Sequence, residues 1–389
     1  MVRTSTAFSA VFLLSASMLA CSEDKGASNG NTGGSGNTVP DNSAFCADTC
    51  IGGEFQAATG RPVDSCCVAV GEPGNSSSNP YLKRTTDTDE YADPKGGAPD
   101  ISCFEPAGYP SQPPAGGTSK TATLKGVVTT FANGGCVADD LIGPNAVTVE
   151  VYKVKRTGDP ATDGALGDLV GTALVTNDQM PIVEEQVTNC NDDPKLNREY
   201  SYPEVPMYTE LVVKSSGTGW APLYSYNIYI TENDADYDSG AGTYKYDVRA
   251  LAEGDFQTIP TVAIGKTITA GNGAIGGEVH DCKNVRLQFA RVDVSVSRKG
   301  LVYFNDDEDD PLPDVTREFI GTGKTALYSA LDIKVPGPEG SYARMAGVGL
   351  VPGSDGDRLV SLGYFDVRVF PNSVTSVTLR GLRPFQVPK

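Results

Sequence analysis

TATLKGVVTTF (residues 121–131) and AVTVEVYKV (residues 146–154) are rich in Val and Thr and alternate apolar with polar residues. That two-residue period is typical of a half-buried β-strand, because successive side chains of a strand point to opposite faces. Further runs of this character, separated by glycine, proline and aspartate, cover residues 170–176, 209–216, 224–230, 243–252, 276–281, 290–296, 325–335, 341–351, 364–370 and 373–382. No stretch combines a sustained 3.6-residue period with helix caps, so the sequence predicts an all-β fold and no helix.

Changes of composition divide the 389 residues into segments. The predicted segments are a signal peptide (1–20), a flexible tether (21–43), a partly ordered Cys-, Pro- and Gly-rich region (44–117), and two β-sandwiches (118–267 and 268–389). Short strands with turn signals between them are typical of sandwiches or barrels. Each of the last two segments has the size of an ordinary domain.

The two sandwich segments repeat the same order of signals. In the second segment they are GEV from Gly277, ARVDVSV from Ala290 and VPG from Val335; in the first they are GVV from Gly126 and AVTVEV from Ala146. This order resembles the carboxypeptidase regulatory-like domain, a transthyretin-like β-sandwich. The resemblance implies two tandem transthyretin-like or Ig-like sandwiches. It also implies that neither is catalytic, because the enzyme of carboxypeptidases is a separate domain.

The N-terminal segment predicts export and a lipid anchor. Arg3 precedes an apolar run from Ala7 to Ala20, which is typical of a secretory signal. Cys21 follows directly, and then comes a Gly-, Ser- and Asn-rich stretch that can serve as a tether. This arrangement resembles a bacterial lipoprotein, and Ser22 resembles the outer-membrane sorting pattern. The alternative is ordinary secretion, with Cys21 as a disulfide partner.

The expected location is therefore the outer membrane of a bacterial cell, on its periplasmic or outer face. The expected partners are the membrane, through the lipid, and an envelope protein or polysaccharide. With 31 Lys and Arg against 49 Asp and Glu, the net charge is −18, which excludes nucleic acid as a partner.

Cysteine usage also fits an exported protein. If Cys21 is acylated, an even set of cysteines remains, which indicates disulfides. The candidates are Cys46, Cys50, Cys66, Cys67, Cys103, Cys136, Cys190 and Cys282. Cys66 and Cys67 are adjacent and would be strained if joined, so each is expected to pair with Cys46, Cys50 or Cys103. A four-cysteine zinc site is the competing interpretation, although adjacent cysteines do not match its usual spacing.

His280 is the only histidine, so any Ser-His-Asp or Cys-His mechanism would run through it. It lies in the strand pattern GEVHDC, and alternation predicts that it faces solvent, opposite Val279. No catalytic residue and no cofactor is predicted, and we expect the chain not to be an enzyme.

Two glycine-rich patterns are similar to nucleotide-binding motifs. Residues 271–276 satisfy G-x-G-x-x-G, but a strand pattern follows instead of a helix, which indicates a turn-rich connection. GTGKT from Gly321 lacks the first glycine of a phosphate loop, so Lys324 is predicted to be an exposed loop cation.

Two acidic loops offer the oxygen ligands that calcium prefers. The candidate ligands for a structural calcium ion are Asp234, Asp236, Asp238, Asp306, Asp307 and Asp309. Neither loop has the spacing of an EF-hand, and a solvated acidic loop is the competing interpretation.

Trp220, Tyr224 and Tyr226 form the densest aromatic patch. The two tyrosines share one strand face and, with the tryptophan, would offer a sugar-stacking platform; packing in the core is the competing interpretation. The leading hypothesis is a non-enzymatic cell-envelope lipoprotein, structural or adhesive, that acts through protein contacts. The alternative is a surface carbohydrate-binding lipoprotein.

Overall fold

The structure is a computed structural model that describes residues 80–87, 91–104, 120–131, 141–185, 195–234, 236–318, 320–353, 358–381 and 383. These residues all belong to one compact unit. The predicted signal peptide, tether and lipidation site lie outside the described residues. So do six of the disulfide candidates: Cys46, Cys50, Cys66, Cys67, Cys136 and Cys190.

Strands dominate the described part of the chain, and the all-β class is confirmed. Every alternating run noted in the sequence overlaps a strand. Numbered in chain order, the strands are β1 (Lys83–Arg84), β2 (Thr121–Thr130), β3 (Thr148–Val154), β4 (Leu166–Leu169), β5 (Leu174–Val175), β6 (Ile182–Glu185), β7 (Lys195–Pro206), β8 (Glu210–Gly217), β9 (Trp220–Tyr229), β10 (Tyr237–Asp238), β11 (Thr243–Lys245), β12 (Val248–Ala252), β13 (Gly273–Glu278), β14 (Leu287–Gln288), β15 (Arg291–Val294), β16 (Gly300–Tyr303), β17 (Leu327–Ile333), β18 (Ser341–Val351), β19 (Arg358–Val369) and β20 (Val374–Val377).

One α-helix, α1 (Glu253–Ile264), is present where the sequence predicts none, so that expectation is wrong. Glu253 and Asp255 stabilise its first turn, because the N-terminal end of the helix dipole is positive. Gly265 ends it in the left-handed conformation, with φ of 72°. The helix lacks a wide apolar stripe and contains Pro260, so its periodicity does not stand out in the sequence.

The N-terminal half of the described chain forms two facing layers. In one layer β2 pairs antiparallel with β7, and in the other β8 pairs antiparallel with β3 and β9. The strand β12 belongs to both layers, since its first residues run parallel to β2 and its last residues run antiparallel to β9. The core between the layers includes Leu124, Val149, Tyr202, Leu211 and Ile228.

The C-terminal half extends the second of these layers. β13 pairs antiparallel with β17 and parallel with β20, and β20 also pairs in parallel with β9. The result is a continuous array in the order β12-β9-β20-β13-β17-β16. A separate sheet, β15-β18-β19, packs on one face of this array. Their shared core includes Ile275, Tyr328, Met345, Phe365 and Val377.

The predicted domain boundary at residues 267/268 falls in the connection between α1 and β13. Strands from both predicted sandwiches share one sheet, because β20 pairs with β9. Arg156 also donates a hydrogen bond of 2.9 Å to the carbonyl of Asp366, from one predicted sandwich to the other. The division into two domains stays a prediction.

Residues 80–87 and 91–104, from the predicted Cys-rich region, pack against the C-terminal half. Leu82 and Phe104 join its core, and β1 pairs antiparallel with β14. Cys103 and Cys282 form a disulfide, which confirms that both are paired. This bond also means that the pairing of Cys103 with Cys66 or Cys67, one of the alternatives above, is wrong.

Candidate functional site

A cleft of about 390 Å³ opens on the face of the array that points away from the β15-β18-β19 sheet. Strand alternation defines its floor: Val374 and Ser376 of β20 and the following Thr378 line the cleft, whereas Val377 points into the core. One wall comes from the segment around β11 and β12, and the other from the segment that follows β16. The cleft therefore lies where the two predicted sandwiches meet, a common position for ligand sites.

One end of the cleft is apolar. Phe256 of α1, Phe304 and Leu331 are buried there in a small satellite core. Ile259, one helical turn from Phe256, and Val374 of β20 are only partly buried and complete the lining. The helix that the sequence did not reveal thus supplies much of this apolar surface.

The middle of the cleft is lined by small polar groups. Ser225 of β9, Ser376 of β20 and Thr378, which follows β20, are partly exposed, and each hydroxyl can both donate and accept a hydrogen bond. Asn227 also lines this part, and its side-chain amide donates to the carbonyl of Thr378 at 2.6 Å. Beside Ser225, burial raises the pKa of Tyr246 to about 12, so this phenol stays protonated.

The other end of the cleft is charged and centres on Glu278. Its carboxylate accepts hydrogen bonds from Nε of Arg286 at 3.0 Å and from Nε2 of His280 at 2.7 Å. Arg286 also pairs with Glu308. Burial by itself raises the pKa of Glu278, but Arg286 and His280 outweigh it and hold this pKa well below its usual range. Glu278 is therefore ionised and paired.

His280 is only 2 % exposed, so the prediction of a solvent-facing side chain is wrong. Alternation does continue past β13, since His280 lies on the cleft face with Glu278, opposite the core residue Val279, but other segments cover that face. The chain then turns back, so that Nδ1 of His280 lies 2.9 Å from Oδ1 of Asn284, and the ring of Tyr91 covers the imidazole at 5.1 Å. Both ring nitrogens thus contact amide or carboxylate oxygens, not a hydroxyl or thiol nucleophile.

Arg380 forms a second charged group, which includes two of the calcium candidates. Its guanidinium donates to the hydroxyl of Tyr244 at 3.0 Å and lies 3.6 Å from Asp234 and 3.7 Å from Asp236. Burial alone lowers the pKa of Arg380, but Tyr244 and the two aspartates raise it above its ordinary value. The third candidate of this loop, Asp238, accepts a hydrogen bond from a backbone N–H of the following turn at 2.8 Å.

The second acidic loop is also held by protein groups. Asp306 pairs with Arg317 at 2.9 Å and accepts from the backbone N–H of Lys324 at 2.7 Å. Asp307 accepts from the backbone N–H of Asp309 at 3.0 Å, and Asp309 lines the cleft. Within the described residues, no group of three or more His, Cys, Asp or Glu side chains is arranged to hold a metal ion.

The aromatic patch proposed for sugar stacking is not assembled on an exposed surface. Tyr224 and Tyr226 do share one face, but it points into the core. Trp220 is 5 % exposed and donates to the carbonyl of Asn145 at 2.9 Å, and Tyr226 is 3 % exposed. The ring of Tyr224 stacks on that of Phe370 at 4.2 Å. Core packing, the competing interpretation, describes these side chains.

The two glycine-rich patterns have the local structure that their sequences indicate. Residues 271–276 form a turn that leads into β13, and no helix follows. In GTGKT, the ammonium of Lys324 is partly exposed and pairs with Asp87 at 2.6 Å.

Most of the cleft-lining side chains carry no signal in the sequence that marks them as part of a site. One signal is present in the sequence: alternation over residues 374–380 puts Val374, Ser376, Thr378 and Arg380 on one face, opposite the buried Thr375 and Val377. The sequence does not show which strands lie beside β20, so it does not show that this polar face borders a cleft.

Comparisons with known proteins add little. No protein-family model and no curated protein matches the chain. The solved structure of the full-length major pilin SpaD from Corynebacterium diphtheriae is 10 % identical, with a TM-score of 0.17 over 64 % of this chain and 67 % of that chain. A TM-score this low carries no argument, so the all-β class rests on the strands themselves. Among the described residues, no helix has the length and apolar character that a membrane crossing needs.

Proposed function

We propose that this chain is a non-enzymatic lipoprotein of the cell envelope that acts as a structural or adhesive element through contacts with other proteins. The supporting observation is the way in which the charged groups of the cleft pair. Glu278 holds Arg286 and His280, and Arg380 lies beside two aspartates. Covalent catalysis needs a nucleophile next to a base, whereas paired groups like these maintain the shape of a binding surface.

The location follows from the N-terminal segment. Export by the signal and acylation of Cys21 would place the folded part at the outer membrane. The Gly- and Ser-rich residues after Cys21 would act as a flexible tether between the lipid and the folded part. The excess of acidic residues would keep the folded part soluble beside an anionic lipid surface.

The anchor is tested with Cys21→Ser. We expect wild-type protein in the membrane fraction, with an intact mass that corresponds to a chain starting at residue 21 plus lipid. The variant should appear in the soluble fraction with no lipid mass. A variant that stays in the membrane, or an unmodified wild-type mass, would contradict the anchor.

The mode of action is tested with the soluble Cys21→Ser chain on isolated cell envelopes. Binding that is lost after protease treatment of the envelopes supports protein contacts. Binding that survives protease but is lost after glycan digestion would support the carbohydrate alternative, which the buried Trp220 and Tyr226 do not favour. Absence of binding, or hydrolysis of an envelope polymer, would overturn the proposal.

A further inference from the structure

We infer that the cleft binds an extended, uncharged peptide segment of a partner protein and takes one apolar side chain of that segment at its α1 end. The inference rests on the proposed function and names the class of partner and the contact site. A volume of about 390 Å³ falls in the range of small-ligand pockets, about 300–1,000 Å³.

The apolar end sets the first requirement. Phe256, Phe304 and Leu331 form its base, and the partly exposed Ile259 and Val374 form its edge. None of these five side chains carries a polar atom. A Leu or Phe side chain placed here would remove apolar surface of both partners from water, which is the usual anchor of a peptide in a groove.

The polar middle sets the second requirement. Three partly exposed residues, Ser225, Ser376 and Thr378, follow the apolar end along the same floor, and the Ser225 hydroxyl also hydrogen-bonds to Tyr246. Each can donate to a carbonyl or accept from an N–H. A peptide backbone presents both groups at every residue except proline, so it can use this row whichever way it runs.

The charged groups set the third requirement. Four Lys or Arg and five Asp or Glu side chains line the cleft, close to balance in a chain of net charge −18. Arg286 pairs with Glu278 and Glu308, and Arg380 lies beside Asp234 and Asp236. A ligand charge placed beside Arg286 or Arg380 would compete with these pairs, whereas an uncharged segment leaves them intact.

These requirements favour a peptide over a glycan or a lipid. A sugar chain supplies hydroxyls but no aliphatic or aromatic group for the α1 end. An acyl chain would fill the α1 end but offers no polar group to Ser376 and Thr378. A peptide with one Leu or Phe meets both needs in one ligand.

The probe is a set of capped peptides, Ac-Gly-Ser-X-Ser-Gly-NH₂, in which X is Phe, Leu, Ala or Glu. Binding to the soluble Cys21→Ser protein is measured by calorimetry. We expect the Phe or Leu peptide to bind about tenfold more tightly than the Ala peptide, because the larger side chain removes more apolar surface from water. The Glu peptide should bind no better than the Ala peptide.

Two substitutions in α1 form a matched pair. Ile259 lines the cleft, whereas Val262 is 49 % exposed and does not line it. Ile259→Ser should remove most of the preference for Phe and Leu, and Val262→Ser should keep it.

Ser376→Tyr should abolish binding because its ring would fill the middle of the cleft. Thermal unfolding of each variant shows whether it is folded.

A photo-crosslinkable Phe analogue at X maps the site on the unsubstituted surface, so the result does not depend on the stability of a variant. Crosslinks to α1 or β20 support the inference. Crosslinks elsewhere, or peptide binding that survives Ser376→Tyr in a folded protein, overturn it and leave the proposed function standing. If no peptide binds but protease-sensitive envelope binding persists, the inference is wrong and the proposed function still stands. Loss of both kinds of binding overturns the proposed function as well.

Discussion

Asp293 is a carboxylate that burial keeps from ionising readily. It lies in β15, and burial raises its pKa to about 6 even though Arg298 donates to it at 2.6 Å. The ion pair lowers the pKa of Asp293 and burial raises it, and burial has the larger effect. A raised carboxyl pKa means that the folded state binds the proton more tightly than the unfolded chain does, so stability falls as the pH rises from about 4 to about 6.

Replacement of this carboxyl should therefore remove a pH-dependent loss of stability. In Asp293→Asn, the free energy of unfolding relative to wild type should rise by about 3 kcal/mol between about pH 4 and about pH 7. The side-chain oxygen that accepts from the Val294 N–H at 2.6 Å is kept. Urea denaturation at several pH values checks this; parallel stability curves for the two proteins would refute it.

Glu278 has the opposite linkage. Its pKa is held below the ordinary value of 4.5, so it stabilises the fold above that pH, and the contribution is lost as the pH falls through the folded-state pKa. Glu278→Gln should lower the free energy of unfolding by about 3 kcal/mol at neutral pH, because a buried guanidinium and His280 lose a charged partner.

A matched control is Glu339→Gln, since Glu339 is exposed. It should change the stability by no more than about 0.5 kcal/mol. Urea denaturation of both variants at neutral pH compares them directly. Equal losses would mean that the pairing of Glu278 does not stabilise the fold.

At the scale of elements, alternation was a strong predictor of strands and a poor predictor of which strand faces are covered. It indicated β2, β3 and β9 correctly, because each has one face in the core. It placed His280 correctly opposite Val279 but could not show that Tyr91 and Asn284 cover that face. It also could not reveal α1, whose burial depends on the array beneath it and not on its own apolar pattern.

Close approach of strands makes Gly277 a sensitive position in the array. A Cβ atom there would lie 1.9 Å from the backbone oxygen of Val377, so β13 and β20 could not keep their pairing. We expect Gly277→Ala to lower the free energy of unfolding by more than about 2 kcal/mol. Amides of β13 and β20 should lose protection in hydrogen exchange.

Gly337 serves as the control for this substitution, because a Cβ atom there would meet nothing within 4 Å. Gly337→Ala should stay within about 0.5 kcal/mol of wild type. If Gly277→Ala were as stable as Gly337→Ala, the close approach of the two strands would be wrong.

At the scale of the molecule, the cleft could not be predicted because its parts are far apart in sequence. Tyr91, Ser225, Phe256, Glu278 and Ser376 come from five separate segments, and only the strand order brings them together. Strand order depends on long-range pairing, such as that of β20 with β9, for which local patterns contain no signal. The strands were therefore predictable, whereas α1 and the site were not.

The disulfide between Cys103 and Cys282 spans 179 residues of sequence. A link over so long a loop restricts the unfolded chain strongly, and we expect its removal to cost about 3–5 kcal/mol. Cys103→Ser, Cys282→Ser and the double variant should lose similar amounts, because any of them breaks the bond. Thermal unfolding of the monomeric proteins measures this, and a double variant as stable as wild type would refute it.

The position of β20 also has a consequence for biosynthesis. β20 is translated after β9 and β13, yet it lies between them and pairs with both. Until β20 is synthesised, β9 and β13 each lack the partner strand that β20 provides. Their unpaired edges can pair with strands of other chains. The floor of the cleft is thus completed last, so a chain interrupted before residue 374 would be exposed to aggregation.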